Sequence, residues 1–235
     1  MTGPIPTHLG SLTALTSLAL EKVKCTGAIP TEIAQLTELR SLDLEDNDHL
    51  TGQIISELGL LTKLTFLDLS FNSFDGRLPT HLAQLTKLTL LDCQSNNLFG
   101  TVPAELAQLT NMEEFLCNDQ RLSGTIPTEL ASWTELQRFR MDENQLTGKI
   151  PSLFGEWTKL GALIVDRNKL TGTIPDTMGD LTGLTTLSLY GNAISGTMPS
   201  SVCALQQNYG LQTIELDLEE IECPAGCSCA SGPSS

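Results

Sequence analysis

Three aspartates, Asp43, Asp68 and Asp92, recur 25 and 24 residues apart in near-copies of one phrase. If successive copies pair as neighbouring strands, their carboxylates stack. Unit charges about 5 Å apart repel by roughly 0.8 kcal/mol in water and about 3 kcal/mol at an effective dielectric of 20. Like charges directly opposite also weaken a sheet. Solvent makes such a ladder tolerable, and a cation or basic side chain relieves it. Glu45 and Gln94 follow two of the rungs by two residues, Phe66 and Leu90 precede two of them, and Phe71 and Leu116 fall on the same expected face. Acid beside exposed apolar surface suits a basic or amphipathic peptide. Arg138 and Arg140 stand two strands beyond Asp92, placed to pair with Glu114 and Asp142 or to hold a ligand carboxylate with forked donors. Calcium fits the ladder poorly, because no loop adds a compact set of oxygens.

Other chemistry finds less support. His8 and His81 share one turn position three coils apart, and His49 lies in a single-residue insertion after Asn47. None has a nucleophile at a matching position, and the glycines sit at bend spacing rather than in a phosphate-cradling loop. No enzyme activity, metal or cofactor is expected. Cys25, Cys93 and Cys117 stand where other copies carry leucine, which reads as small apolar filler; a strained Cys93–Cys117 bridge is the alternative. Cys203, Cys223, Cys227 and Cys229 lie in and after the last full copy. Two disulfides sealing the end of the core, in an oxidising compartment, are the favoured reading. Four cysteines allow three pairings. A zinc site is the rival, although Cys-x-x-x-Cys-x-Cys is not the usual pair of Cys-x-x-Cys knuckles.

The elements that must position these residues are set by repetition. Units open at Leu15, Leu39, Leu64, Leu88, Met112, Leu136, Leu160, Leu184 and Leu211, and glycine recurs at Gly3, Gly27, Gly52, Gly76, Gly100, Gly124, Gly148, Gly172 and Gly196. A fixed period near 24 residues means stacked coils. In the unit at Leu136, Phe139 and Met141 point inward and Arg138 and Arg140 outward, the alternation of a half-buried strand. Nine such strands, about 4.8 Å apart, make a sheet roughly 40 Å long. An asparagine column (Asn47, Asn72, Asn96, Asn144, Asn168, Asn192, with Gln120 substituting) faces the core where the backbone leaves the strand and needs partners. Glycine then permits a bend and proline fixes φ; Ile55 replaces that proline in the unit that is one residue longer.

The phrase Leu-x-x-Leu-x-Leu-x-x-Asn-x-Leu-Thr-Gly-x-Ile-Pro-x-x-Leu-x-x-Leu-Thr resembles the plant-type leucine-rich repeat over residues 1–207. The resemblance implies an α/β solenoid: a right-handed arc with a concave parallel sheet, a short second strand from Gly-x-Ile-Pro, and 3₁₀ or irregular convex turns. It also implies binding of proteins or peptides, outside the cell or at its surface. Residues 208–229 read as a closing strand and cysteine cap, and 230–235 as a flexible tail.

The net charge of −15 opposes binding to nucleic acid or anionic membranes. No apolar run approaches the roughly 20 residues of a membrane span. The first unit, with Met1 where other units carry leucine, begins in mid-repeat, as in a fragment of a larger receptor-like or secreted protein. No Asn-x-Ser/Thr sequon occurs, which points toward an algal or microbial relative rather than a glycosylated receptor. The favoured function is a non-catalytic recognition module binding a protein or peptide on the concave sheet. The alternative is a structural or surface-adsorbing protein, holding ice or polysaccharide with its threonine rows, Thr13 to Thr182 and Thr101, Thr125, Thr173 and Thr197.

Overall fold

The computed structural model describes residues 3–232, so Met1 lies outside the described residues. Each coil up to that of Thr186–Ser188 carries near its start a three-residue strand whose middle side chain is buried. In the Arg138–Arg140 strand, Phe139 is fully buried between two arginines. The strands pair in parallel and in chain order: Ser17–Ala19, Ser41–Asp43, Phe66–Asp68, Leu90–Asp92, Glu114–Leu116, Arg138–Arg140, Ala162–Ile164, Thr186–Ser188, Thr213–Leu216 and Ala230–Ser231. Leu42, Leu67, Leu91, Phe115, Phe139, Leu163 and Leu187 therefore stand in one register row. The last strand corrects two expectations. The long sheet has ten strands rather than nine, and residues 230 and 231, expected in a flexible tail, pair with Glu215 and Leu216.

The asparagine column does what its burial requires. Asn144 Nδ2 donates to the Cys117, Met141 and Asp142 carbonyls, and its Oδ1 accepts the Leu122 N–H at 2.9 Å. Each such amide joins its own coil to the one before, where strand pairing has ended. Asn72 departs from the pattern: its buried Oδ1 has no partner. The equivalent donor is the Leu50 N–H, and the extra residue in that coil turns it onto the Asn47 carbonyl at 2.8 Å.

After the asparagine, a second set of short parallel strands forms, including Arg121–Thr125, Gln145–Gly148 and Lys169–Gly172. Gly124 illustrates the bend: φ is +76°, and a Cβ there would lie 2.8 Å from Thr101 Cγ2. Only glycine meets both constraints cheaply. Proline, or Ile55 in the longer coil, next leads into a 3₁₀ turn, such as Thr128–Ser132 after Pro127. In the last full coil that turn lengthens into the helix Ser200–Asn208.

The core is a continuous stack of leucines, with aromatics concentrated in two neighbouring coils. Phe115, Trp133, Phe139, Phe154 and Trp157 form one contact chain, and each tryptophan Nε1 donates to a carbonyl of the preceding coil. The cysteines correct a further expectation. Cys93 and Cys117 are bonded to each other, because in-register neighbouring strands bring their Cα atoms to 5.0 Å, within bridging range. Cys25 is buried and free. The last four pair as Cys203–Cys227 and Cys223–Cys229.

Candidate functional site

The outer face of the long sheet carries three columns of side chains. Strand register sets Asp43 opposite Asp68, Asp68 opposite Asp92, Asp92 opposite Leu116, and Leu116 opposite Arg140. In the column before it, Phe66 stands opposite Leu90 and Leu90 opposite Glu114. The sheet thus brings most of the expected residues together. Their exposure is graded, however. Asp43 and Asp68 are half-buried, whereas Asp92 and Leu116 are 6% and 8% exposed. Leu116, expected to be exposed, is instead covered, standing in register between Asp92 and the longer Arg140. Phe66 and Leu90 are half-buried.

Phe71 stands apart from the columns. It follows the strand and is 45% exposed. Its φ is +52°, in the left-handed region. The same position in other coils carries Lys22, Asp46, Ser95, Asp119, Glu143 and Arg167, also with positive φ. A bulky aromatic is the exception in that conformation.

Each aspartate also has a local duty that the sequence did not reveal. One oxygen accepts the N–H two residues on: Asp43 from Glu45 at 3.0 Å, Asp68 from Ser70 at 2.9 Å, Asp92 from Gln94 at 3.0 Å. The Ser70 hydroxyl adds a bond to Asp68, and Gln94 Nε2 donates to the other Asp92 oxygen at 3.0 Å. Burial pushes the Asp92 carboxyl up to about 7; Asp68 and Glu45 push the same way, while the Gln94 N–H and Arg140 oppose it. Burial likewise raises Asp68 against the pull of its two Ser70 bonds. At the first rung, oxygens of Glu21, Asp43 and Glu45 lie within 4.8 Å of one another, but Lys22 already pairs with Glu45 at 3.1 Å.

The arginines pair as expected. Arg138 reaches Glu114 at 2.7 Å, and Arg140 forks onto Asp142 at 3.2 and 3.1 Å. Two features of the wall had no sequence signal. Asn118 is 8% exposed, and its buried Oδ1 lacks a partner. Further along, the Arg167 guanidinium covers the Tyr190 ring at 5.3 Å; burial, with Asp166 adding, pushes that phenol up to about 12. His8 and His81 are exposed on the 3₁₀ turns and His49 is exposed at the start of the strand His49–Gln53; the threonines of both rows are exposed as well.

The profile of the Leucine Rich Repeat family matches residues 63–85, 87–109, 135–157 and 183–205. The ectodomain of the plant membrane receptor kinase GASSHO1/SCHENGEN3 from Arabidopsis thaliana, solved with CASPARIAN STRIP INTEGRITY FACTOR 2, superposes on 94% of this chain with TM-score 0.87 and 32% identity. The chain carries leucine-rich repeats. A second leucine-rich repeat ectodomain, from the Arabidopsis receptor kinase HAESA in complex with an extended IDA peptide hormone ligand, covers 87% of this chain with TM-score 0.83 and 30% identity. This leucine-rich-repeat chain spans only 26% and 34% of those two ectodomains. A plant ice-binding protein, 24% identical with TM-score 0.56 over 90% of this chain and 83% of its own, shares the fold. Comparison with curated proteins gives no match. Among the described residues no helix is long and apolar enough to cross a membrane.

Proposed function

We propose that this leucine-rich-repeat chain is a non-catalytic recognition module that holds an extended protein or peptide along its long-sheet wall, between Asp43 and Arg140. The single observation that carries this reading is the register of Asp43, Asp68 and Asp92 beside Phe66 and Leu90. Three acids in a row beside apolar side chains complement a ligand with basic and apolar residues. Glu45 and Gln94 extend the polar rim, and Phe71 offers an exposed aromatic. The peptide ligands of the similar ectodomains make a peptide the natural class. Their placement on receptor kinases supports an extracellular or cell-surface setting within a larger receptor-like or secreted protein. Adsorption to ice or polysaccharide is less favoured: Lys149 and Arg77 interrupt one threonine row, and the ice-binding relative shares no more than the fold.

Because each aspartate also accepts a backbone N–H, the test must remove charge and keep the acceptor. Asp68→Asn with Asp92→Asn does so. Titration with matched synthetic peptides of extended, basic amphipathic and acidic amphipathic composition should show preference for the basic one, weakened about tenfold or more by the double substitution. Equal binding of basic and acidic peptides, or an unchanged affinity in the double variant, would remove the acidic wall from the account.

A further inference from the structure

In and just beyond the last full coil, two bridges bring four cysteines to one corner. Cys203 projects from the helix Ser200–Asn208, and Cys223, Cys227 and Cys229 lie on the segment that folds back across it. The two bridges are not separate features. Sγ of Cys227 lies 3.9 Å from Sγ of Cys229, and the sulfurs of Cys223, Cys227 and Cys229 all fall within 4.8 Å of one another. Thiolates bound tetrahedrally to zinc at about 2.3 Å stand about 3.8 Å apart.

Hydrogen bonds hold this arrangement independently of the bridges. Gln206, one helical turn beyond Cys203, donates to the Ser228 carbonyl at 2.7 Å and accepts the Ser228 N–H at 2.8 Å. Ser228 is the residue between Cys227 and Cys229. Gln207 adds a bond to the Gly226 carbonyl at 3.3 Å. Ahead of Cys223, Ile221–Glu222 pairs with Gly196–Thr197, and the Met198 N–H donates to the Glu222 carbonyl at 2.9 Å. The three-cysteine segment is thus fixed to the repeats, ahead of Cys223 and again at Gly226 and Ser228, by bonds that reduction leaves intact. A site whose ligands are already gathered loses little entropy on binding a metal.

We infer that in its reduced form this corner is a zinc site, with Cys223, Cys227 and Cys229 as three thiolate ligands; Cys203, placed against Cys227 but outside the group of three mutually close sulfurs, turns in as the fourth once its bond to Cys227 is opened. A low-molecular-weight dithiol supplies two electrons and two protons to each bridge and closes to its own cyclic disulfide. One Zn²⁺ then displaces the four thiol protons, which pass to solvent. The two disulfides and the zinc thiolate are alternative seals for the same apolar end, where Leu211, Ile214, Leu216 and Ile221 are buried. The thiol–disulfide poise of the compartment selects between them.

The test uses the whole chain, reduced with a phosphine under anaerobic conditions and titrated with Co²⁺ and then Zn²⁺. The expected result is a thiolate-to-cobalt charge-transfer band that saturates at one ion per chain and is displaced by zinc. The band should be lost in Cys227→Ser and kept in the Cys93→Ser, Cys117→Ser double variant. Should Cys227→Ser fail to fold, alkylation mapping of the zinc-loaded natural sequence decides. Protection gained on zinc loading by Cys203, Cys223, Cys227 and Cys229, and by no other cysteine, upholds the site. Absence of the band in the natural sequence, its persistence in Cys227→Ser, or zinc-dependent protection centred on other cysteines overturns it.

Discussion

Asp92 shows how one side chain serves both backbone and surface. Its Oδ1 holds the Gln94 N–H, its Oδ2 the Gln94 amide, and Asp68 and Arg140 lie on the same wall. Because burial raises its carboxyl to about 7, the folded chain holds this proton more tightly than the unfolded chain, whose aspartate titrates near about 3.9. Between those values the folded state binds more protons, so stability falls as pH rises from about 4 to 7 and then levels off. Urea midpoints at pH 5 and pH 8 should therefore differ in favour of pH 5. Asp92→Asn should shrink that difference, with a gain at pH 8 on the order of 1–2 kcal/mol. Binding of a basic peptide should follow the opposite course, tightening above pH 7 as Asp92 gains its charge. An Asp92→Asn variant with an undiminished pH dependence would place the titration elsewhere.

At the scale of the coil, the repeat was legible because nearly every residue in it has a single task. The strand alternation, the asparagine column, the glycine bend and the proline each recur with period 24 or 25, and the structure places each as the phrase implies. What escaped were relations between side chains from different columns. The carboxylate bonds to the N–H two residues on, the covering of Leu116, and the orphaned Asn72 oxygen depend on local register and side-chain length rather than residue type. The Cys93–Cys117 bridge escaped because a leucine-like position is occupied equally well by a thiol or by half a disulfide. Ile55 tests the logic of the coil directly. It takes φ −72° and ψ 139°, the same as Pro30 in the preceding coil, and eight other coils carry proline there and so lack that N–H. Ile55→Pro should thus fit without strain and raise stability by about 0.4–1 kcal/mol through the unfolded chain, less whatever packing Ile55 contributes. Thermal denaturation checks it, and a loss of stability would mean that the longer coil uses a backbone geometry proline cannot share.

For the whole molecule, stacking means that each coil depends on its neighbours and hardly on anything farther away. Ends therefore matter more than in a globular domain, and the C-terminal end is closed by the strand Thr213–Leu216 and the segment after it. Removing residues 208–235 would expose the last coil and strip acceptors from particular donors: the Leu189 N–H from the Glu215 carbonyl, and the Gly191 and Asn192 N–H groups from the Asp217 carboxylate. Leu211, Ile214, Leu216 and Ile221 would go with it, each contributing roughly 1.5–3 kcal/mol by burial. Hydrogen exchange at Leu189, Gly191 and Asn192 should then accelerate about 100-fold or more, from local opening of the terminal coil. The Leu69 and Cys93 amides, which donate to carbonyls of the next strand four to five coils away from the cut, should keep their protection. If they lose it in step with Leu189, the chain opens as one cooperative unit, and the aspartate wall shares its stability with the distant cap.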